Sequence, residues 1–338
     1  MLLLTQGVGP LCNPFVSLGC ACVEYDYPMK LFIFTPNVST LFTPEQLNAV
    51  KSAGAVQLFS EIKPFSEIPE LYAGDEDRIV AIDPDFSDWS LPNDIIDKIP
   101  HLKAICLQTT SFSWVDIAHC KAKGIPVTNL RGFSSVAVAE WGTMITLALA
   151  RRVPEIVKAG WKADYDKHRG IELRGKKAGV VGLGRIGTAF AENMAGLGMD
   201  VQYWSRQARD DRFTYVSLED LMRTSDVVFV SFAINEETTK LLTDDLLRSL
   251  QSSAIFVSVV SAVEQVYNKE LLLDMVTAGK LYGLGYEQEK GVFGGHDGNV
   301  WDGPALGWCT NESMSKNAAQ WVDAIVAAAK GEYPTEIK

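Results

Sequence analysis

The sequence predicts an α/β protein built from two parallel-sheet domains, the second of them doubly wound. Three observations carry that expectation. Short apolar runs alternate with amphipathic segments along almost the whole chain, the pattern of strands joined by crossover helices. A long, nearly all-apolar helix divides the chain into two such alternating regions. Finally, 338 residues suffice for two ordinary cores.

The elements follow in order. "KLFIF" (Lys30–Phe34) and the Thr-Pro-Asn after it read as a strand and a turn. "TPEQLNAVKSAG" reads as a helix with Thr43 as N-cap, Pro44 at the first position and Gly54 past its end. "AVQLF", "IVAI" (Ile79–Ile82) and "LKAICL" (Leu102–Leu107) are strands; "WVDIAHCKAKG" is helical and "IPVTN" is a short strand. The helix from Ser135 to about Arg152 is apolar on most sides, so it is expected to be buried. Beyond it come the strand "KKAGVVGLG", the helix "RIGTAFAENMAGLG", the strand "MDVQYW", the helix "SLEDLMRTS", and the strands "DVVFVSF" and "AIFVSVV". The helix "NKELLLDMVTAG", the strand "LYGLGY" and an amphipathic helix within "ESMSKNAAQWVDAIVAAAKG" complete the chain.

Composition narrows the function. A net charge of -11 argues against a nucleic-acid partner, which needs a basic footprint. The six cysteines, Cys12, Cys20, Cys22, Cys106, Cys120 and Cys309, form no Cys-x-x-Cys pair. Reduced thiols and a cytoplasmic location are therefore expected, with no metal site. Residues 1–28 are apolar but lack a basic start and are interrupted by Pro10 and Pro14, so a disordered extension is expected rather than a signal peptide. No run reaches membrane-spanning length, and no membrane partner is expected.

"VVGLGRIG" places Gly182, Gly184 and Gly187 in the G-x-G-x-x-G spacing, after an apolar strand and at the opening of a helix. Such glycines allow a tight turn and let a pyrophosphate rest on the helix N-terminus. Arg185, within the loop, is a candidate phosphate partner, and Ile186 is taken with it into the cofactor-binding set. The bland alternative is a glycine-rich turn that holds no nucleotide. At the end of the next strand, where an acid would bind the ribose 2′-hydroxyl of NAD, the chain has Ser205 and Arg206. A hydroxyl beside a guanidinium suits a 2′-phosphate, so NADP(H) is favoured over NAD(H), with Arg209 and Arg212 as possible additions. Otherwise these arginines merely solvate a loop.

With these residues in view the chain resembles the D-isomer-specific 2-hydroxy-acid dehydrogenases from about Leu102 to Gly331. "KAKGIPVTNLRG", "SVAVAEWGTMITLALARR" ending its Val-Ala-Glu in Glu140, "LRGKKAGVVGLGRIG", "VSFAINEETTKLL" and "PALGWCTNES" carry the resemblance. It implies a Rossmann-type dinucleotide-binding domain at 134–308 and a smaller flavodoxin-like substrate domain at 29–133 and 309–338, built from both chain ends. It also implies a small-molecule substrate, a homodimer formed through the long helix, and Ala233, Thr238 and Val260 beside the cofactor.

The family's catalytic Arg, His and Glu do not carry over. The Arg-Gly positions read Ser261-Ala262, the His position reads Ala305, and the loop that should hold the Glu offers Glu289 after Glu287. The Gly-x-Gly loop that presents amides to a substrate carboxylate reads Thr109-Thr110-Ser111. Every departure falls on substrate chemistry and none on the nucleotide fingerprint. The candidate catalytic residues are therefore Tyr286 and Glu287, ending a strand on the cofactor side, and His296 on the loop "FGGHDGN". Bland readings stand beside them: a packed core tyrosine and a solvated loop histidine. Arg131 is a candidate carboxylate clamp or a surface ion pair, Cys309 reads as a small buried side chain, and Trp114, Trp141 and Trp308 either narrow the pocket or belong to the core. The expected function is hydride transfer between NADP(H) and a carbonyl-type molecule, or an activated C=C or C=N bond, other than a standard 2-keto acid. The alternative is a catalytically silent nucleotide-binding protein serving as a sensor or subunit.

Overall fold

The computed structural model describes residues 29–37, 41–232, 234–235, 237–260, 263–288 and 295–338; the extension expected at 1–28 lies outside them. The first sheet region holds β1 (Met29–Phe34), α1 (Pro44–Ala53), β2 (Ala55–Phe59), β3 (Asp77–Ile82), α2 (Asn93–Lys98), β4 (Leu102–Leu107), α3 (Ile117–Ala122) and β5 (Val127–Thr128). The second region begins with α4 (Ser135–Ala150), α5 (Val153–Lys158), β6 (Lys177–Val181), α6 (Arg185–Gly196), β7 (Asp200–Trp204) and β8 (Thr214–Tyr215). It continues through α7 (Leu218–Thr224), β9 (Val227–Val230), α8 (Asp244–Arg248), β10 (Ile255–Ser258) and α9 (Val263–Val266). α10 (Lys269–Thr277), β11 (Gly283–Tyr286) and β12 (Val300–Trp301) end that region, and α11 (Asn311–Ala329) returns to the first.

Five strands in the order β2-β1-β3-β4-β5 form one sheet and seven in the order β12-β11-β10-β9-β6-β7-β8 form the other. All ladder pairs between these strands are parallel. In the larger sheet the order reverses between β6 and β9, so the crevice at their carboxyl ends is the place for a ligand. The expected Rossmann-type architecture with a second α/β unit is what the chain adopts.

Local chemistry explains the elements. Thr43 accepts from the Gln46 amide at 3.2 Å while the Gln46 side chain accepts from the Thr43 amide at 2.9 Å, a capping box that starts α1. α11 is held on the first sheet because its Trp321, fully buried, donates to the Cys106 carbonyl at 3.0 Å. Burying a tryptophan removes roughly 150–250 Å² from water, so this anchor outweighs any single surface contact. α4 lies close on the larger sheet for want of side chains. A Cβ on Gly142 would fall 2.4 Å from the Phe229 ring, and one on Gly285 would fall 2.5 Å from Ile145. The expectation that α4 is buried holds on its sheet side only, since Val136 and Leu147 remain exposed.

Short elements escaped the periodicity. β8 and β12 have two residues each, too few to alternate, and α5 is a separate turn after Arg152, whose φ of 55° ends the long helix at Ala150. Among the described residues no helix is long and apolar enough to cross a membrane.

Candidate active site

The phosphate loop joins β6 to α6. Gly182 has φ of +97°, and a Cβ on it would lie 2.9–3.0 Å from Phe232, so only glycine fits both the turn and the space. A Cβ on Gly187 would fall 2.1 Å from the Gly182 carbonyl, which is why α6 can start so close beneath the strand. Gly184 differs: a Cβ there would meet nothing within 4 Å. It is the N-cap of α6 and no side chain caps the helix, so the first amides face open space. An open glycine above uncapped amides is the cradle that a pyrophosphate requires, and the residues fit a dinucleotide. Arg185 is exposed, and its stem passes over Gly132 at the crossing between sheets; Ile186 packs inward on the core.

Ser205 and Arg206 follow β7. The Ser205 hydroxyl donates to the Gln207 carbonyl, and Arg206 pairs with Glu237 at 2.5 Å, both side chains being exposed. Arg212 is held by Asp210 and Glu192 at 2.6 and 2.7 Å. Thr238 is buried and its hydroxyl accepts from the Asn235 amide at 2.8 Å; Val260 is buried after β10. Ala233 lies outside the described residues, as do Ser261, Ala262 and Glu289.

Of the three candidate catalytic residues, Tyr286 and His296 pack side by side, whereas Glu287 lies apart from them. Strand alternation sends Leu284 and Tyr286 into the core beneath α10, and Gly283 and Gly285 toward α4. Tyr286 is 1% exposed, with the Lys269 ammonium 5.5 Å from its ring centroid, and His296 packs beside it at 6.4 Å between centroids. The backbone near His296 is tied to α5, where Lys158 donates to the carbonyls of His296 and Gly298. Glu287 lies on the other face. Its Oε1 accepts from the Gly307 amide at 3.0 Å, two residues beyond Ala305. Burial pushes its carboxyl above the usual carboxylate range, although the Gly307 and Leu306 amides and the Trp141 indole favour its charge.

Ala305 sits where β12 is prolonged: Gln288 bridges Pro304 in parallel and its amide donates to the Gly303 carbonyl at 3.1 Å. The segment then turns tightly, the Trp308 indole donating to the Ala305 carbonyl at 3.0 Å. Cys309, expected to be buried, is exposed, because the turn ahead of α11 directs it outward. Among the described residues Cys106 and Cys120 are the buried thiols, pushed up to about 12 and about 11 by burial. Trp114 stacks edge-on with Trp89 at 6.2 Å, whereas Trp141 and Trp308 flank the turn. Among the described residues Arg131 makes no ion pair; it donates to the Glu336 carbonyl at 2.8 Å.

Polar residues that the sequence pattern did not single out hold the Thr109–Ser111 loop. Gln108 and Asn317 bond each other at 3.0 Å, and Asn129 donates to the Thr110 carbonyl at 2.7 Å. The Ser111 amide is already accepted by the Thr109 hydroxyl at 3.2 Å. An amide used internally is not offered to a substrate carboxylate. The signal was there in Gln108 and Asn129, polar residues after apolar strands, but their partner Asn317 lies on the distant α11.

The comparisons with known proteins agree with this geometry. Residues 143–290 match the D-isomer specific 2-hydroxyacid dehydrogenase, NAD binding domain, family model. A glyoxylate reductase of Thermofilum pendens is 29% identical over 260 residues, 71% of this chain and 76% of that protein. An acyclic imino acid reductase in complex with NADPH and D-Arg superposes with a TM-score of 0.77 at 23% identity, covering 92% of this chain and all of that one. A D-lactate dehydrogenase from Aquifex aeolicus, complexed with NAD and lactic acid, gives 0.73 at 22% identity over 90% of this chain and 96% of its own. Taken with the phosphate loop, the strand order and the two sheets, these likenesses assign residues 143–290 to the NAD binding domain of the D-isomer specific 2-hydroxyacid dehydrogenases and support membership of that family.

Proposed function

We propose that this protein transfers hydride between NADP(H) and a small molecule other than a standard 2-keto acid. One observation carries the reading: the nucleotide cradle at Gly182, Gly184 and Gly187 is intact, while the residues that would grip and protonate a keto acid are gone. Ala305 delivers no proton, Ser261 supplies no guanidinium, and the Ser111 amide is spent within its own loop. When bound, the nicotinamide supplies hydride. The protein's part is to hold the phosphates at α6, orient the substrate and exclude water. The relatives bear names of reductases and dehydrogenases, which favours an enzyme over a silent sensor.

The preference for NADP(H) rests on Ser205 and Arg206, since the fold alone decides nothing: one neighbour holds NADPH and another NAD. The Arg206–Glu237 pair does not prevent it, because exposed ion pairs are worth only about 0–1 kcal/mol and a phosphate competes well. We also propose a homodimer across the outer face of α4, where Val136 and Leu147 are exposed, with Trp161 and Tyr165 exposed on the segment after α5. The enzyme reading is tested by following NADPH oxidation against a broad panel of carbonyl and imine compounds. Turnover of a non-acid member is expected; NADPH binding with no turnover on any would leave the silent-subunit reading in its place.

A further inference from the structure

Two loops at the carboxyl ends of β3 and β4 gather aromatic rings. Trp89 is 46% exposed and Phe112 is 41% exposed, while Trp114 is half-buried with its ring edge-on to Trp89 at 6.2 Å between centroids. The loops are joined: the Leu91 amide donates to the Trp114 carbonyl at 3.4 Å, and Leu91 bridges Val115 in parallel. Leaving a tryptophan in water forgoes the burial of a large apolar face, and α/β sheets take their ligands at strand carboxyl ends. The backbone bears a cost here too. Asp88 and Trp89 have φ of 48° and 54°, the left-handed region that a bulky side chain avoids and that recurs where ligands are held.

The loop after β4 has its backbone spent internally. The Ser111 amide donates to the Thr109 hydroxyl at 3.2 Å and its carbonyl accepts from the Trp114 indole at 3.1 Å, so the next group offered outward is the Phe112 ring. Charge also restricts what can sit there. The segments "DPDFSDWSL" (83–91) and "QTTSFSWV" (108–115) hold three aspartates and no lysine or arginine, which disfavours an anion and leaves a neutral ring unopposed. Hydrogen bonding ties this surface to the nucleotide cradle. The Thr109 carbonyl accepts from the Leu130 amide at 3.0 Å, and two residues on, a Cβ on Gly132 would fall 2.7 Å from Cδ of Arg185 in the phosphate loop.

We propose that Trp89, Phe112 and Trp114 form a rim that holds an uncharged aromatic body of the substrate, so that the substrate class is an aryl-bearing carbonyl compound without a carboxylate. The proposal rests on the oxidoreductase reading above and narrows it. The rim grips the part of the molecule that does not react, and ring pairing there supplies the orientation that a carboxylate contact would otherwise give.

The test uses the full-length protein with NADPH and two aldehydes of similar size, phenylacetaldehyde and cyclohexylacetaldehyde, neither of which has its ring conjugated to the carbonyl. kcat/KM should favour phenylacetaldehyde by about 2–10-fold, the range of aromatic pairing beyond area burial. Trp89→Ala and Phe112→Ala should each reduce that preference, whereas Phe112→Tyr, which keeps the ring, should retain it. Trp114 is left unchanged because its indole also ties Ser111. Calorimetry supplies a readout apart from turnover. With NADP+ present, 2-phenylethanol should bind more tightly than 2-cyclohexylethanol, and Phe112→Ala should remove that difference while leaving NADPH affinity unchanged. Turnover with no preference for the aryl aldehyde, or a preference that both alanine variants keep, overturns the rim alone. If NADPH binds but no carbonyl is reduced, the oxidoreductase reading falls, and the alcohol titration then decides the rim: equal affinities, or a difference that survives Phe112→Ala, overturn it as well.

Discussion

The two ends of the site obey different rules. At the phosphate end, each glycine of the fingerprint answers to a specific spatial demand: Gly182 to a turn, Gly187 to a backbone contact and Gly184 to open space. At the substrate end, the acid and the guanidinium are replaced by Ala305 and Ser261, and an amide is used up by Thr109. Steric constraints on a backbone leave one residue acceptable, whereas chemical roles can be surrendered once the substrate changes. The contrast teaches that the demands of the nucleotide loop are written in backbone sterics, and it supports the proposal that the other reactant is not a standard 2-keto acid.

The largest expected effect would break that contrast outright. General acid catalysis contributes about 10²–10⁴-fold, and a charged contact roughly a further 2 kcal/mol. Pyruvate, glyoxylate and hydroxypyruvate should therefore be reduced about 10⁴-fold more slowly than by a family member with both groups. A kcat/KM at or above about 10⁴ M⁻¹s⁻¹ on any of the three would mean that another residue has taken over.

Next comes a pair of glycine variants that separates folding from binding. Gly187→Ala puts a methyl 2.1 Å from a carbonyl and should cost about 1–3 kcal/mol of stability or more, read by thermal unfolding. Gly184→Ala meets no protein atom, so its unfolding should move by less than about 1 kcal/mol while NADPH affinity drops. Undiminished NADPH binding by Gly184→Ala would show that no phosphate rests there.

The ribose end gives a comparable energy. NADPH should bind more tightly than NADH by roughly 1–3 kcal/mol, as for a charge-assisted contact. Arg206→Ala should erase the difference, and Glu237→Ala, which frees the guanidinium, should widen it slightly. Equal affinities in the unaltered protein would remove the argument for NADP(H).

The smallest effect concerns Glu287. Burial raises its pKa in the folded state, so its ionisation opposes folding: stability is greatest below the ordinary carboxylate pKa and falls as pH rises through the raised value. Glu287→Gln should accordingly raise Tm at neutral pH, and the gain should vanish below about pH 4, where the unfolded carboxyl is also protonated. A lower Tm at pH 7 would mean that the ionised carboxylate is well solvated or paired.

Strand and helix periodicity by itself determined the alternating α/β plan, α1 with its Thr43 cap, the long helix and the phosphate loop, because each is written in contiguous residues. The same contiguity brought out Ala305 at the position where the resemblance implies the acid. What needed tertiary structure was every relation across the chain. Tyr286 and Glu287 are neighbours in sequence, yet the pleat sends one into the core beneath α10 and the other toward Trp141. Asn317 reaches Gln108 only because α11 returns to the first sheet, and Arg206 meets Glu237 only because the loops after β7 and β9 converge at the same edge. Local patterns record how a backbone is built, whereas a site is made where distant segments meet, and the meeting is fixed by packing that no single stretch of sequence contains.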